Sequence, residues 1–316
     1  MSRWTDPAWL AEAHEWIHGQ LDRLDMPGID EIEPAHATRW STVLRVSTDV
    51  GDVYFKANDE ALRHEAAVVA LLAERRPDCI PRLLASDLER GWMLMGDAGV
   101  RLRELIATER ELTRWLDVLP LYAGVQIDLA DDAEELIALG APDLRLATLP
   151  ARYTQLLEQL DGLAWEEMRR LREAERLVLD MSDDLAAYGL QETIQHDDLD
   201  DDQVYLRDGR YLLLDWADAC VSHPFFSLSV TLEGVIAWGV DDLLRSVAIE
   251  PYRDAYLTPF AQDLSDIDLK AASSIAMRLG WACRAINGLS GCANDVSPAQ
   301  AEQTRNRLRM FLDGHP

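Results

Sequence analysis

The sequence predicts an α+β chain, with a small antiparallel β-sheet in its N-terminal third and a mainly helical remainder. Two β-like runs, Thr42–Thr48 and Val53–Ala57, flank the turn-forming Asp49-Val50-Gly51-Asp52, the pattern of an antiparallel hairpin. Beyond residue 100, apolar residues recur mostly at helical spacing. A length of 316 residues exceeds one comfortable core, so two lobes are expected.

In chain order, residues 4–24 predict an amphipathic helix, because Trp9, Leu10, Ala13, Trp16, Ile17 and Leu21 recur on one face before Pro27-Gly28 ends it. The hairpin follows, then a helix over Glu60–Glu74. Strands are predicted at Ile80–Ser86 and Gly91–Met95. The Gly96-Asp97-Ala98-Gly99 segment reads as a flexible connection. These elements make residues 1–95 a first domain, 96–100 a hinge and 101–316 a helical second domain. Within the latter, helices are expected near 101–108, 111–129, 149–161, 164–188, 226–237, 240–247, 251–262, 266–288 and 298–313. The one clear β element among them is a hairpin of Val204–Leu206 and Tyr211–Leu214, turning at Arg207-Asp208-Gly209-Arg210.

Composition excludes several functions. A formal charge of −27 opposes binding to nucleic acid or anionic membranes, both of which need a basic footprint. Cationic small molecules suit such a field, although acidity that serves only solubility accounts for it equally well. No apolar run approaches the roughly 20 residues that span a bilayer, and Met1-Ser2-Arg3-Trp4-Thr5-Asp6 lacks an apolar leader core, so a cytoplasmic location is expected. Cys79, Cys220, Cys283 and Cys292 lack metal-ligand spacing and read as reduced thiols. No pattern specifies an oligomeric state.

The densest chemistry lies in Gln195-His196-Asp197-Asp198-Leu199-Asp200-Asp201-Asp202-Gln203, followed by Leu212-Leu213-Leu214-Asp215-Trp216. Such an acidic run is most often a solvated turn. A calcium loop fails as a rival, because Gln203 takes the place that needs Gly and Gly209 the place that needs a bidentate Glu. Asp215, closing an apolar strand, points instead to a built site. The hairpin is expected to return it toward Asp198, and two such carboxylates suit a centre that orients a hydroxyl and holds a nucleotide-bound metal.

A second constellation lies in the first domain. Lys56 ends the apolar run Val53-Tyr54-Phe55, and Glu65 falls at the centre of the stripe formed by Ala61, Leu62, Val68, Val69 and Leu72. A core-facing carboxylate needs a cation, and Lys56 is the nearest in sequence. A buried structural ion pair is the plain alternative to the phosphate-positioning pair of kinases.

Together these features resemble the aminoglycoside phosphotransferase-like branch of the protein-kinase-like fold, from about Ile32 to about Arg284. His196-Asp197-Asp198-Leu199 matches the start of that family's catalytic loop, Gln203 stands at its Asn position, and Asp215-Trp216 matches its metal-binding segment. The resemblance implies a bilobal protein-kinase-like fold and transfer of the γ-phosphate of ATP or GTP, with Mg²⁺ or Mn²⁺, to a hydroxyl of a small cationic or polyhydroxylated molecule. It assigns Asp198 to the acceptor hydroxyl, His196 to bracing the loop, Asp215 and Gln203 to metal, Lys56 to phosphates and Glu65 to holding Lys56. Ser41, in the turn Ala37–Thr42, would cover phosphates; Met95 and Asp97 would meet the nucleobase. Three departures stand out: Gln203 for Asn, added acids at Asp200, Asp201 and Asp202, and Ser227 where relatives place a bracing Asp. They favour a second reading, an impaired kinase-like module that binds nucleotide or ligand. A kinase fold put to different transfer chemistry is a third.

Overall fold

A computed structural model describes residues 3–28, 31–262, 264–289 and 296–313; Cys292 lies outside them. Two compact units emerge: residues 1–100 with 205–217, and residues 101–204 with 218–316.

The first unit is built on a five-stranded antiparallel sheet of β1 (Glu33–Ala37), β2 (Ser41–Thr48), β3 (Gly51–Asn58), β4 (Leu83–Asp87) and β5 (Trp92–Gly96), in the order β1-β2-β3-β5-β4. Strand alternation gives the sheet two functions. Pairing sets Leu44 opposite Phe55 and Phe55 opposite Leu94, so one face is largely apolar. The other carries Val43, Lys56 and Met93 in one row, and Arg45, Tyr54 and Met95 in the next.

Helix α1 (Pro7–Arg23) covers the apolar face with buried Ala13, Ile17 and Leu21. Its start is fixed by Asp6, whose side chain accepts from the Ala8 N–H at 2.8 Å, with Pro7 preset in the first turn. Trp16, Phe55 and Trp92 close that core. Phe55 meets Trp92 edge-on at 5.4 Å and Trp16 at 5.6 Å, arrangements that add about 0.5–1.5 kcal/mol each beyond area burial.

The helix expected from Glu60 begins later. Asp59 caps a short 3₁₀ turn over Glu60–Leu62, and α2 runs Glu65–Arg75, so Glu65 opens its first turn rather than sitting mid-helix. The acid-rich segment leads into the expected hairpin, β7 (Val204–Arg207) with β8 (Arg210–Leu213). Residues 205–217 belong to the first unit, which puts Asp215 there with Lys56.

The second unit holds helices α3 (Leu102–Glu109), α4 (Trp115–Asp128), α5 (Ala133–Ala138), α6 (Leu149–Gln159), α7 (Trp165–Glu173), α8 (Glu175–Ala186), α9 (Glu250–Leu257), a long, largely buried α10 (Asp266–Asn287) and α11 (Pro298–Asp313); α10 packs against α6, α8, α9 and α11. The helix expected over 164–188 breaks at Ala174. The one expected over 240–247 is absent, since Asp242 and Arg245 take left-handed φ of 52° and 59°. That expected over 226–237 opens into a π-helical segment, Ser229–Val235, between 3₁₀ turns.

A two-stranded ladder that periodicity did not reveal, β6 (Thr193–Gln195) with β9 (Cys220–Ser222), supports the acid loop. It is pinned to α4. Thr193 Oγ1 donates to the Gln126 carbonyl at 2.7 Å, and Gln126 Nε2 donates to the carbonyls of Ile194 and Pro224 at 2.9 and 3.1 Å.

Because Phe55 is wholly buried in the sheet core, Phe55→Ala should lower unfolding free energy by about 3–5 kcal/mol in urea titrations followed by tryptophan fluorescence. Val50→Ala, at an exposed turn, should stay within about 0.5 kcal/mol of wild type.

Candidate active site

In the first unit, β3, α2 and the end of the β7–β8 hairpin bring three charges together. Lys56 Nζ donates to Glu65 Oε1 at 2.8 Å and to Asp215 Oδ1 at 2.7 Å. Asn58 Nδ2 adds a bond to Glu65 Oε2 at 2.5 Å and one to the Leu62 carbonyl at 3.2 Å. Burial alone pushes the Lys56 ammonium toward its neutral form, but Asp215 and Glu65 more than offset this and hold it above its ordinary range. Burial raises Glu65, with Lys56 opposing. Asp215 differs from both: its carboxylate is 47% exposed, and its φ of 59° is a strained value for a non-glycine residue.

The remaining first-unit candidates stand apart from this cluster. Ser41 opens β2 beside the β1–β2 turn, and its N–H donates to Thr38 Oγ1 at 3.0 Å while its hydroxyl lies 3.4 Å from the same atom. Met95 is buried in β5, paired with Tyr54. Asp97 closes a turn: its Oδ1 accepts from the Gly99 N–H at 3.0 Å, and its carbonyl accepts from Arg207 at 2.8 Å, with Arg207 also ion-paired to its carboxylate.

The second unit holds His196, Asp198 and Gln203. His196 is fully buried, and its N–H donates to the Tyr122 hydroxyl at 2.9 Å. Asp197, at a left-handed φ of 60°, accepts from Asn287 Nδ2 at 2.8 Å. Its carboxyl is pushed up to about 6 by burial, against the pull of Arg284 and Asn287. Asp198 is ion-paired with Arg284, itself buried in α10. Gln203 closes the loop with its N–H on the Asp200 carbonyl at 3.2 Å.

The added acids are managed locally. Arg103 of α3 binds Asp201 at 2.8 Å and pairs with Asp202. Asp200 is pushed up to about 6, by burial first and then by Asp198. Ser227 accounts for the absent bracing Asp: its N–H donates to Gln195 Oε1 at 2.9 Å, and its hydroxyl lies 2.7 Å from that of Tyr122. A neutral chain from Gln195 through Ser227 and Tyr122 thus reaches the His196 N–H.

Sequence reasoning missed Arg284, Asn287, Arg103, Tyr122 and Tyr54. Arg284 and Asn287 were accessible as an i, i+3 polar pair inside an apolar helix. Tyr54 was accessible by strand alternation, two residues before Lys56 and on its face of the sheet.

Among the described residues, no three His, Cys, Asp or Glu side chains are gathered as a metal cage. Mg²⁺ carried by a nucleotide needs none, since it takes one or two carboxylates alongside phosphate oxygens and water. The half-exposed Asp215 carboxylate fits that requirement.

This fold recurs in solved structures. A choline kinase from Cryptosporidium parvum Iowa II aligns with a TM-score of 0.61 at 12% identity, over 95% of this chain and 94% of its own. A choline/ethanolamine kinase family protein from Mesorhizobium loti gives 0.59 at 17%, covering 90% and 89%. The GDP and kanamycin complex of APH(2")-IIia gives 0.59 at 14%, covering 94% and 98%. The chain has an aminoglycoside-phosphotransferase-like kinase fold. No protein-family model and no curated protein sequence matches it. Within this kinase-like fold the Lys56 cluster has a structural cost that can be measured. Lys56→Met leaves the Glu65 carboxylate buried without its cation and should destabilise by about 3–5 kcal/mol in chemical unfolding. Lys56→Met/Glu65→Gln should recover a large part of that loss. A single-variant cost below about 1 kcal/mol would show that the pair is not structural.

Proposed function

We propose that the protein transfers the γ-phosphate of ATP or GTP to a hydroxyl of a small cationic or polyhydroxylated acceptor, in the cytoplasm and without nucleic acid or membrane partners. One observation carries the reading: Lys56 held between buried Glu65 and half-exposed Asp215, an ammonium fixed for phosphate beside a carboxylate placed for metal. The kinase-like fold of its structural neighbours supports it. The chain's charge of −27 favours a cationic acceptor, as do the kanamycin and choline named for those neighbours.

In this reading Asp215 holds the divalent cation, Mg²⁺ or Mn²⁺, with Gln203 as the further ligand its motif position implies. The metal, when bound, neutralises charge on the transferring phosphoryl group. Lys56 contacts the phosphates, and Glu65 keeps it extended. Tyr54, on the same face, offers the nucleobase an aromatic surface next to Met95, with Asp97 beyond; Ser41 lies in the turn assigned to the phosphates. Asp198, oriented by Arg284, accepts the acceptor's hydroxyl proton as that oxygen bonds to the γ-phosphorus and the nucleoside diphosphate leaves. His196, braced through Tyr122, fixes the loop that carries Asp198. Three buried cysteines, Cys79, Cys220 and Cys283, are in no disulfide among the described residues, which suits a reducing cytoplasm.

The second reading, an impaired module that binds nucleotide or ligand without transfer, is favoured by the Arg284 guanidinium on Asp198, which occupies a carboxylate that must receive a proton.

Two measurements test the site, and the second separates these readings. Asp215→Ala should abolish the melting-temperature rise that Mg²⁺-nucleotide produces in wild type, and equal shifts in both proteins would remove Asp215 from metal binding. Asp198→Asn should lower kcat for phosphorylation of an aminoglycoside or amino-alcohol panel by at least about a hundredfold, with nucleotide affinity nearly unchanged, as followed by ³¹P spectroscopy. Negligible transfer by wild type and variant alike, with nucleotide still bound, would establish the binding module.

A further inference from the structure

A cavity of about 560 Å³ lies within the first unit, and Lys56 is not among its lining residues. Its volume falls in the range of small-molecule sites, about 300–1,000 Å³. Buried Val53, Ile80 and Leu212 line part of its wall, with Ala73 of α2 beside them. Its charged lining is unusual for this chain. Acids outnumber bases 57 to 30 overall, yet three arginines, Arg82, Arg207 and Arg210, meet only two acids at the cavity, Asp52 and Asp97.

Both acids are already committed. Asp52 accepts from Ser47 Oγ at 2.8 Å and lies 3.6 Å from Arg45, while Asp97 serves the Gly99 N–H and Arg207. Two of the arginines are not. The side chains of Arg82 and Arg210 make no hydrogen bond or ion pair among the described residues; Arg210 acts only through space on Asp78, which Arg76 already chelates. An acidic protein therefore presents two uncommitted arginine side chains in the lining of a partly apolar cavity.

We propose that this cavity binds a small organic anion, an oxyacid group on a compact apolar skeleton, with Arg82 and Arg210 gripping the anion and the apolar wall taking the skeleton. Arg207, shared with Asp97, borders the same space and couples its occupant to the turn at Asp97–Gly99. That turn is tight, because Gly99 has φ +88° and an added Cβ would meet the Leu206 carbonyl at 2.3 Å. The cavity borders the nucleobase segment at Asp97, but Lys56, Glu65 and Asp215 are not among its lining residues.

The test titrates full-length protein with 8-anilinonaphthalene-1-sulfonate, an aromatic anion whose fluorescence rises in apolar sites. Wild type should show one saturable site, with Kd raised at least about tenfold by Arg82→Gln/Arg210→Gln, the loss of charge-assisted bonds being worth a factor of that order. Arg169→Gln/Arg176→Gln removes the same charge from the second unit and should leave Kd unchanged. Ala73→Phe, filling the cavity from α2, should abolish binding. Asp215→Ala should retain it, so that failure here is distinguishable from failure of the kinase reading. Benzoate and phenyl phosphate then separate carboxylate from phosphate ligands, and displacement by either supports the site. The proposal is overturned if the Arg82/Arg210 variant binds as wild type, if the control pair loses as much affinity, or if neither anion displaces the probe.

Discussion

The shared ammonium of Lys56 is the contact on which the rest of the first unit's chemistry depends. It ties a strand, a helix and the end of the hairpin together, and it does so with two carboxylates to one cation. Desolvating Glu65 is costly, and only a partner inside hydrogen-bond range offsets that cost. Asn58 contributes a neutral donor where a second cation would have overcrowded the pocket. The cluster nonetheless retains an excess negative charge, carried on the exposed side of Asp215. An anionic nucleotide would be repelled by it unless a divalent cation came too, so the residues themselves call for metal-accompanied phosphate rather than bare phosphate.

The acid loop of the second unit follows a different logic. Asp197, Asp198, Asp201 and Asp202 would repel one another in an isolated turn, but each meets a donor from a helix: Asn287 and Arg284 from α10, and Arg103 from α3. The loop is therefore held by side chains distant in sequence. Asp197 takes a left-handed backbone that a flexible surface turn would have no reason to keep. Asp200 relies mainly on burial and on its own loop, where it accepts from the Asp202 N–H at 2.8 Å.

Much of this was legible in the sequence where a single period governed the element. Lys56 stood out at the end of an apolar strand run, and the spacing of Glu65 pointed it at the core, where Lys56 was the nearest cation in sequence. Legibility failed where tertiary contacts decided. Three-residue strands such as β6 and β9 are too short to show a period, and residues 240–247 carry a helical pattern that left-handed Asp242 and Arg245 break. Arg284 looked like one basic residue in a long helix. Its meaning came only from the partner it reaches across 86 positions of chain.

The departures from the kinase-like motif also explain one another. A carboxylate at position 227 would have added a like charge near Gln195 and the start of the loop, where burial already drives Asp197 toward its protonated form. Ser227 avoids that charge and still transmits the brace, through Tyr122 to the His196 N–H, with neutral groups that tolerate burial at lower cost. The absence of an acid at 227 is thus the electrostatic complement of the acids gained at 200–202. Substituting Asp at 227 alone would restore the motif's letters while worsening the field in which Asp197 is held.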